Sequence, residues 1–262
     1  HTDSSAASDV YKRQEYSSYF QLSLVEICLI MIIVLAASII RSFNGFGFSA
    51  TCISLISFIL PTIEIVPIIL LLEVLVSIFM IPYIWNNIDW KFVIQVLLGI
   101  SIGSPIGLYL LKFLSPSISH LSICIIIIFF VILQLQGYSN KRINNLPTKI
   151  SAGIISGIIN GLGTLGGMPI SLYLLITRVK PIIIRGSLAA IFFIADAYVF
   201  NLSLFAGIVD TTVFFRVIPL IFVLPIGVFI GNKLFVKSKE ETYRKTVFYF
   251  LIIISVIGII KV

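Results

Sequence analysis

The stretch ISAGIISGIINGLGTLGGMPISLYLLIT, residues 150–177, decides the fold of this chain. None of its 28 residues is charged, and the stretch is long enough to reach across the hydrocarbon core of a bilayer. The run Asn160-Gly-Leu-Gly-Thr-Leu-Gly-Gly-Met-Pro169 interrupts it, and glycine at this density breaks a helix. The stretch therefore predicts a membrane-embedded unit with a glycine break in its middle.

Composition extends this prediction to the whole chain. Of 262 residues, 59% are hydrophobic and 11% are charged, and the mean hydropathy is +1.14. A soluble domain carries about 25% charged residues, so a soluble fold is excluded. The net charge of +7 suggests no nucleic-acid partner, because the 18 Lys and Arg lie between apolar runs and form no basic face.

Apolar runs divide the chain into membrane segments. A second glycine-broken unit, Phe46–Leu60, follows Arg41-Ser-Phe-Asn-Gly-Phe-Gly47. The polar start, His1–Gln14, resembles translated sequencing-adapter sequence and is left out of the fold prediction. The predicted single spans are Leu22–Ile40, Ile65–Trp85, Phe92–Leu111, Ser117–Gln136, Ile182–Ala206 and Thr211–Gly231, with Thr246–Ile260 as a short seventh.

Positive charges indicate how the glycine-broken units are threaded. If each is a hairpin, 13 Lys and Arg face the cytoplasm, Arg41 and Arg185 among them, and 5 face outside. If each is a single crossing, the count becomes 8 against 9 and the bias expected of membrane proteins vanishes. We therefore predict hairpins, both termini outside, and membrane parts 15–136 and 150–262 joined by a cytoplasmic loop, 137–149.

The two membrane parts share three short motifs in the same order. Asn44-Gly-Phe-Gly47 recurs as Asn160-Gly-Leu-Gly163, Ile88-Asp89 as Val209-Asp210, and Pro105-Ile-Gly107 as Pro225-Ile-Gly227. Each part is then a glycine-broken hairpin followed by three helices, which gives an odd number of crossings. The predicted fold is all-α, with about eight to ten membrane segments in two inverted repeats, an arrangement found in secondary transporters.

The glycine-rich segment Asn160–Pro169, the run Arg185-Gly-Ser-Leu-Ala-Ala-Ile-Phe-Phe193 and the parallel segment Gly45–Pro61 resemble the TauE/SafE family of membrane transporters. The resemblance runs from Ser42 to the C-terminus. It implies export of sulfite or organosulfonates. The sequence departs from the family pattern at two places. These are the second glycine cluster, Gly163-Thr-Leu-Gly-Gly167, and the first cluster, where Phe46 and Phe48 are interleaved with the glycines.

The glycine breaks are the predicted substrate site. Helices that begin at a break present backbone N–H groups, which an anion can satisfy. The alternative is that the glycines only let helices pack closely. The candidate substrate-binding residues share a place at the breaks: Asn44, Gly45, Gly47, Ser49, Asn160, Gly161, Gly163, Thr164, Gly166, Gly167 and Pro169.

Two acids lie in the middle of equivalent predicted spans, Glu73 and Asp196. An acid in a membrane helix costs about 3 kcal/mol to insert, so both are expected to face the protein interior. They are candidate ion-coupling residues, with protons as the coupling ion. The alternative is a structural pair neutralised by Arg185 or Arg216.

The sequence thus predicts a multi-pass cell-membrane transporter of a small anion that works by alternating access, and the family resemblance implies that this anion is a sulfur oxyanion or sulfonate. Arg41 and Arg185 are predicted supporting charges. No cofactor or metal ligand set is recognised, and the match of Gly161–Gly166 to a dinucleotide motif lacks the strand that this motif requires. The rival prediction is a non-transporting membrane protein, either an enzyme acting within the bilayer or an assembly factor.

Overall fold

The computed structural model describes residues 22–135 and 144–239, together with Thr246 and Tyr249. Predictions for the tail 1–14, most of the loop 137–149 and the short span Thr246–Ile260 lie outside these residues. Within them every regular element is a helix, ten α-helices and one 3-10 turn, Trp85–Asn87. The α-helices are α1 (Leu24–Asn44), α2 (Phe48–Ile56), α3 (Thr62–Ile84), α4 (Trp90–Phe113), α5 (Pro116–Leu135), α6 (Leu146–Gly163), α7 (Gly167–Ile176), α8 (Pro181–Phe205), α9 (Thr211–Ile221) and α10 (Leu224–Lys237).

Four of these helices are long and apolar enough to cross a membrane: α1, α3 with its 3-10 turn, α4 and α8. They coincide with predicted spans, so the prediction from apolar length is confirmed for them. Large apolar side chains also cover the outside of the described helices, including Phe205 at 89% exposed and Leu24 at 75%. Lipid is the solvent that such a surface needs. The chain is therefore a multi-pass membrane protein.

The predicted single span Thr211–Gly231 is not one continuous helix in the structure. The chain forms two helices there, α9 and α10, whose axes bend by 50°. Pro225 lies in the first turn of α10, and its ring excludes a hydrogen bond to the carbonyl of Ile221, four residues earlier. Helix α9 ends at that residue. The pair is either one broken span or a re-entrant unit.

Glycines let α4 lie directly on α6. A Cβ atom added to Gly103 would stand 2.2 Å from the carbonyl oxygen of Ile154, and one added to Gly157 would stand 2.6 Å from that of Ile100. Helices α1 and α10 meet in the same manner, since a Cβ on Gly231 would stand 2.3 Å from the Ile39 carbonyl oxygen. Glycines thus let both helix pairs pack backbone against backbone.

Three arginines that the charge count placed on the membrane surfaces lie inside the helix bundle. Arg41 is fully buried in α1, Arg185 is 2% exposed in α8, and Arg216 is 5% exposed in α9. Each lies in a helix, so none of the three reports sidedness. The remaining positive charges are divided 11 to 4 under the hairpin prediction, and the bias persists without them.

Candidate binding site at the glycine breaks

The first break separates α1 from α2 at Gly45-Phe46-Gly47. Gly45 (φ 88°) and Gly47 (φ 99°) both have the left-handed backbone conformation, which residues with a side chain rarely adopt. The backbone also passes close to α8, because a Cβ on Gly45 would stand 2.8 Å from the Cα of Arg185. Helix α1 therefore stops at Asn44, as the glycine pattern predicts, and α2 starts in the protein interior.

The second break separates α6 from α7 at Thr164-Leu-Gly166. Thr164 takes the left-handed conformation (φ 56°), and its hydroxyl donates a 2.7 Å hydrogen bond to the carbonyl of Gly163. Two side chains of α6 hold the loop: Ser156 Oγ donates to the Gly166 carbonyl at 2.7 Å, and Asn160 Oδ1 accepts from the Gly166 N–H at 3.4 Å. This break is held by side-chain hydrogen bonds to its backbone.

A small cavity lies where the two breaks meet, and we call it the break cavity. Glu73 of α3 and Phe192 of α8 contribute to its wall. The first turns of α2 and α7 also line it, so their N-terminal ends, which carry partial positive charge, are directed at one space. The residues from the breaks that line the break cavity are Phe46, Gly47, Ser49, Ala50, Thr164, Leu165, Gly167 and Met168.

Glu73 is 1% exposed, and one of its carboxylate oxygens accepts a hydrogen bond while the other lies beside a cation. Ser49 Oγ, in the first turn of α2, donates a 2.6 Å hydrogen bond to Oε1. Arg41 Nε of α1 lies 3.0 Å from Oε2. The sequence suggested Arg185 or Arg216 as the partner of the buried acids. The partner of Glu73 is instead Arg41. Helix α1 continues four residues beyond the predicted span, and this brings Arg41 against α3.

The guanidinium of Arg41 has several other contacts. It donates hydrogen bonds to the carbonyl of Gly45 and, at 3.3 Å, to Ser77 Oγ of α3. Its central carbon lies 4.0 Å from the centroid of the Phe192 ring, a cation–π geometry. Arg41 therefore links the end of α1, helix α3 and helix α8 at the first break.

Asp196 lies on α8 and is 1% exposed. Its Oδ1 accepts a 2.8 Å hydrogen bond from the side-chain amide of Asn160 in the last turn of α6. Its Oδ2 has no hydrogen-bond partner among the described residues. Each acid thus accepts a hydrogen bond from a residue at the break of its own half: Ser49 for Glu73, Asn160 for Asp196.

The other two buried arginines lie elsewhere. Arg185 Nη2 donates a 2.7 Å hydrogen bond to Asn232 Oδ1, and its guanidinium carbon lies 4.3 Å from the Phe235 ring centroid. Arg216 Nη1 lies 2.8 Å from Glu64 Oε2 at the start of α3. Both arginines therefore tie α9 and α10 to neighbouring helices, and neither lines the break cavity.

The predicted substrate-binding residues fall into three groups. Gly47, Ser49, Thr164 and Gly167 line the break cavity. Other glycines fill helix contacts: a Cβ on Gly161 would stand 2.4 Å from the Ser104 carbonyl oxygen, and one on Gly163 would stand 2.7 Å from Ile123. The remaining predicted residues are buried at the breaks, namely Asn44 at the end of α1, Gly45, Asn160, Gly166 and Pro169.

Sequence reasoning missed Phe192 as a residue of the site. It lies one helical turn before Asp196, so both side chains share one face of α8. That spacing was a usable signal. No group of three or more His, Cys, Asp or Glu among the described residues is placed to hold a metal ion.

Spanning helices around a cavity that is lined by a buried acid, with two short helices starting inside the protein, are typical of multi-pass membrane transporters. The family model for the sulfite exporter TauE/SafE matches residues 30–257. The chain belongs to the TauE/SafE family, and the resemblance drawn from its glycine motifs is confirmed. The comparison with curated proteins gives no match, and neither does the comparison with solved structures.

Proposed function

We propose that this protein carries sulfite or a related organosulfonate across the cell membrane by alternating access around the break cavity. One observation carries the proposal: the N-terminal ends of α2 and α7 meet at a single cavity. Such ends bind anions, because their first backbone N–H groups have no partner within the helix. The hydroxyls of Ser49 and Thr164 add donors beside them.

The buried charges explain why an anion and a proton are coupled in this proposal. Arg41 and Glu73 neutralise each other across 3.0 Å. Asp196 then decides the net charge near the cavity, since an ionised carboxylate repels a second anion and a protonated one does not. Proton uptake at Asp196 and anion binding therefore favour each other, and we assign Asp196 as the coupling residue.

The inverted-repeat architecture belongs to the same proposal. Helix contacts support it, since α4 of the first half packs on α6 of the second, while α1 of the first packs on α10 of the second, both through glycines. Helices α3 and α8, which carry Glu73 and Asp196, pack against each other. In such folds one repeat or one helix bundle moves against the other around a fixed central site.

Flux into proteoliposomes tests the proposal. Radiolabelled sulfite, isethionate, sulfate and chloride are offered separately to vesicles with and without the protein. Isethionate keeps one negative charge throughout the neutral pH range, so its flux reports carrier protonation and not its own. We expect sulfite or isethionate to enter faster than into empty vesicles. If neither does, the proposed substrate class is wrong.

A matched pair of variants ties the flux to the cavity. Arg41→Gln removes the cation at the first break, and we expect it to abolish flux. Arg216→Gln removes a comparably buried cation that lies away from the break cavity, and we expect flux to be retained. Equal loss in both variants would place the effect in folding and not in the cavity.

A further inference from the structure

Phe192 lies between the break cavity and the buried cation. Its ring lines the cavity, whereas Arg41 does not. The guanidinium carbon of Arg41 lies 4.0 Å from the ring centroid, which places it over the face of the ring. The ring therefore separates the strongest positive charge at the first break from the space that a substrate enters.

The same ring also covers the start of α7. A Cβ atom on Gly167, the first residue of α7, would stand 2.2 Å from Phe192 Cζ. The glycine leaves room for the ring edge to lie against the helix start. One aromatic side chain thus contacts an element from each half of the chain, α1 through Arg41 and α7 through Gly167.

We infer that Phe192 is the gate of the break cavity, resting closed on Arg41 and Gly167 and opening when the anionic substrate takes the ring's place. This inference rests on the proposed function and names the residue that controls access to its site. A cation–π contact that is shielded from water holds the ring in the closed position. An anion competes with it because the guanidinium binds oxyanions more strongly than it binds a ring.

Cysteine labelling measures access without requiring transport. Ala50 lines the break cavity and is 2% exposed. Ala50→Cys is made in a chain whose native cysteines, Cys28, Cys52 and Cys124, are changed to alanine. The probe is sulfonatoethyl methanethiosulfonate, itself an organosulfonate anion, added to purified protein in lipid vesicles. The labelling rate of this cysteine then reports how often the gate is open.

Four further variants decide the inference. Phe192→Leu and Phe192→Met keep apolar volume but remove the ring, and we expect labelling about tenfold or more faster because the closed state loses its cation–π contact. Ile194→Leu changes an apolar residue of the same helix that is 40% exposed, and it should label at the rate of the parent protein. Phe193→Leu changes the neighbouring aromatic, which is 37% exposed, and should also leave the rate unchanged. Two ring-removing variants are used so that poor folding of one leaves the other.

The outcomes separate the gate from the substrate. Faster labelling in the ring-removing variants alone supports the gate, and faster isethionate flux in them supports both gate and substrate. Faster labelling with no sulfite or isethionate flux in any protein keeps the gate and removes the proposed substrate. Labelling that is equal in all five proteins, or accelerated equally by Phe193→Leu, overturns the gate.

Discussion

The side-chain amide of Asn160 donates a 2.8 Å hydrogen bond to one oxygen of Asp196, while the second oxygen has no hydrogen-bond partner among the described residues. Asn160 stands at the end of α6, where the second glycine break begins. Asp196 is therefore connected through the Asn160 side chain, which also accepts from the Gly166 N–H, to the backbone of the second glycine break. Glu73 differs, since its second oxygen, which also has no hydrogen-bond partner among the described residues, lies 3.0 Å from the Arg41 cation.

Asp196→Asn should abolish pH-driven accumulation of isethionate while anion exchange continues. The amide keeps the size of the side chain and a hydrogen-bond acceptor for Asn160, but it cannot ionise. Accumulation under a pH gradient and exchange without one are measured in the same vesicles. If Asp196→Asn keeps pH-driven flux and Glu73→Gln loses it, the roles of the two acids are reversed. If neither change matters, both acids are structural.

Glu73→Gln should destabilise the protein because it leaves the Arg41 cation buried without its counter-charge. Breaking a buried ion pair in this way costs about 3–5 kcal/mol. The matched control is Glu64→Gln, which removes an acid that is 42% exposed from its pair with Arg216; because water reaches the acid side of this pair, the loss of stability should be smaller than for Glu73→Gln. Thermal unfolding followed by size-exclusion chromatography in detergent compares the two. Similar midpoints for both variants would contradict the assigned importance of the Arg41–Glu73 pair.

Gly103→Leu should prevent close packing of α4 on α6. The added Cβ would stand 2.2 Å from a backbone oxygen, which cannot rotate away, so we expect a loss of about 3 kcal/mol or more. The neighbouring Ile102 is 57% exposed, and Ile102→Leu should leave stability unchanged. The yield of monodisperse protein after extraction is the measurement. Normal yield of Gly103→Leu would show that the two helices separate at little cost.

Reporter fusions test the predicted sidedness. A reporter after Val262 should be active on the outside, and one inserted at Asn144 should be active in the cytoplasm, because the charge bias places the central loop inside. Paired reporters are used, one active only in the cytoplasm and one only outside it, so that every fusion gives a positive signal. Finding both positions on the same side would reject the hairpin threading and the inverted repeat with it.

Helix positions could be predicted from sequence because apolar length fixes them. The predicted span Ile65–Trp85 differs from α3 by three residues at its start, and both glycine breaks fall where the sequence puts them. The bend before Pro225 was also readable, since proline removes a hydrogen bond wherever it stands in a helix. Local chemistry sets these features, so a single sequence carries them.

Partner choice could not be predicted in the same way. The sequence predicts a surface charge at Arg41 because this residue follows an apolar run. Only the packing of α1 on its neighbours places its side chain beside Glu73. The glycines looked equivalent in sequence, yet Gly167 lines the break cavity while Gly163 accommodates Ile123. Which face of a helix meets which neighbour depends on the whole bundle, and a single sequence does not contain that information.

The glycine contacts between α4 and α6 have a mechanical consequence. Backbone lies on backbone there, with no flexible side chains between to absorb a shift. Two helices joined in this way move as one solid body, and α1 with α10 forms a second such body. Relative motion is then left to the short helices α2 and α7 and to the seam between α3 and α8. Residues of all four of these helices line the break cavity. We therefore expect a small rotation of one helix against another to change the width of the cavity.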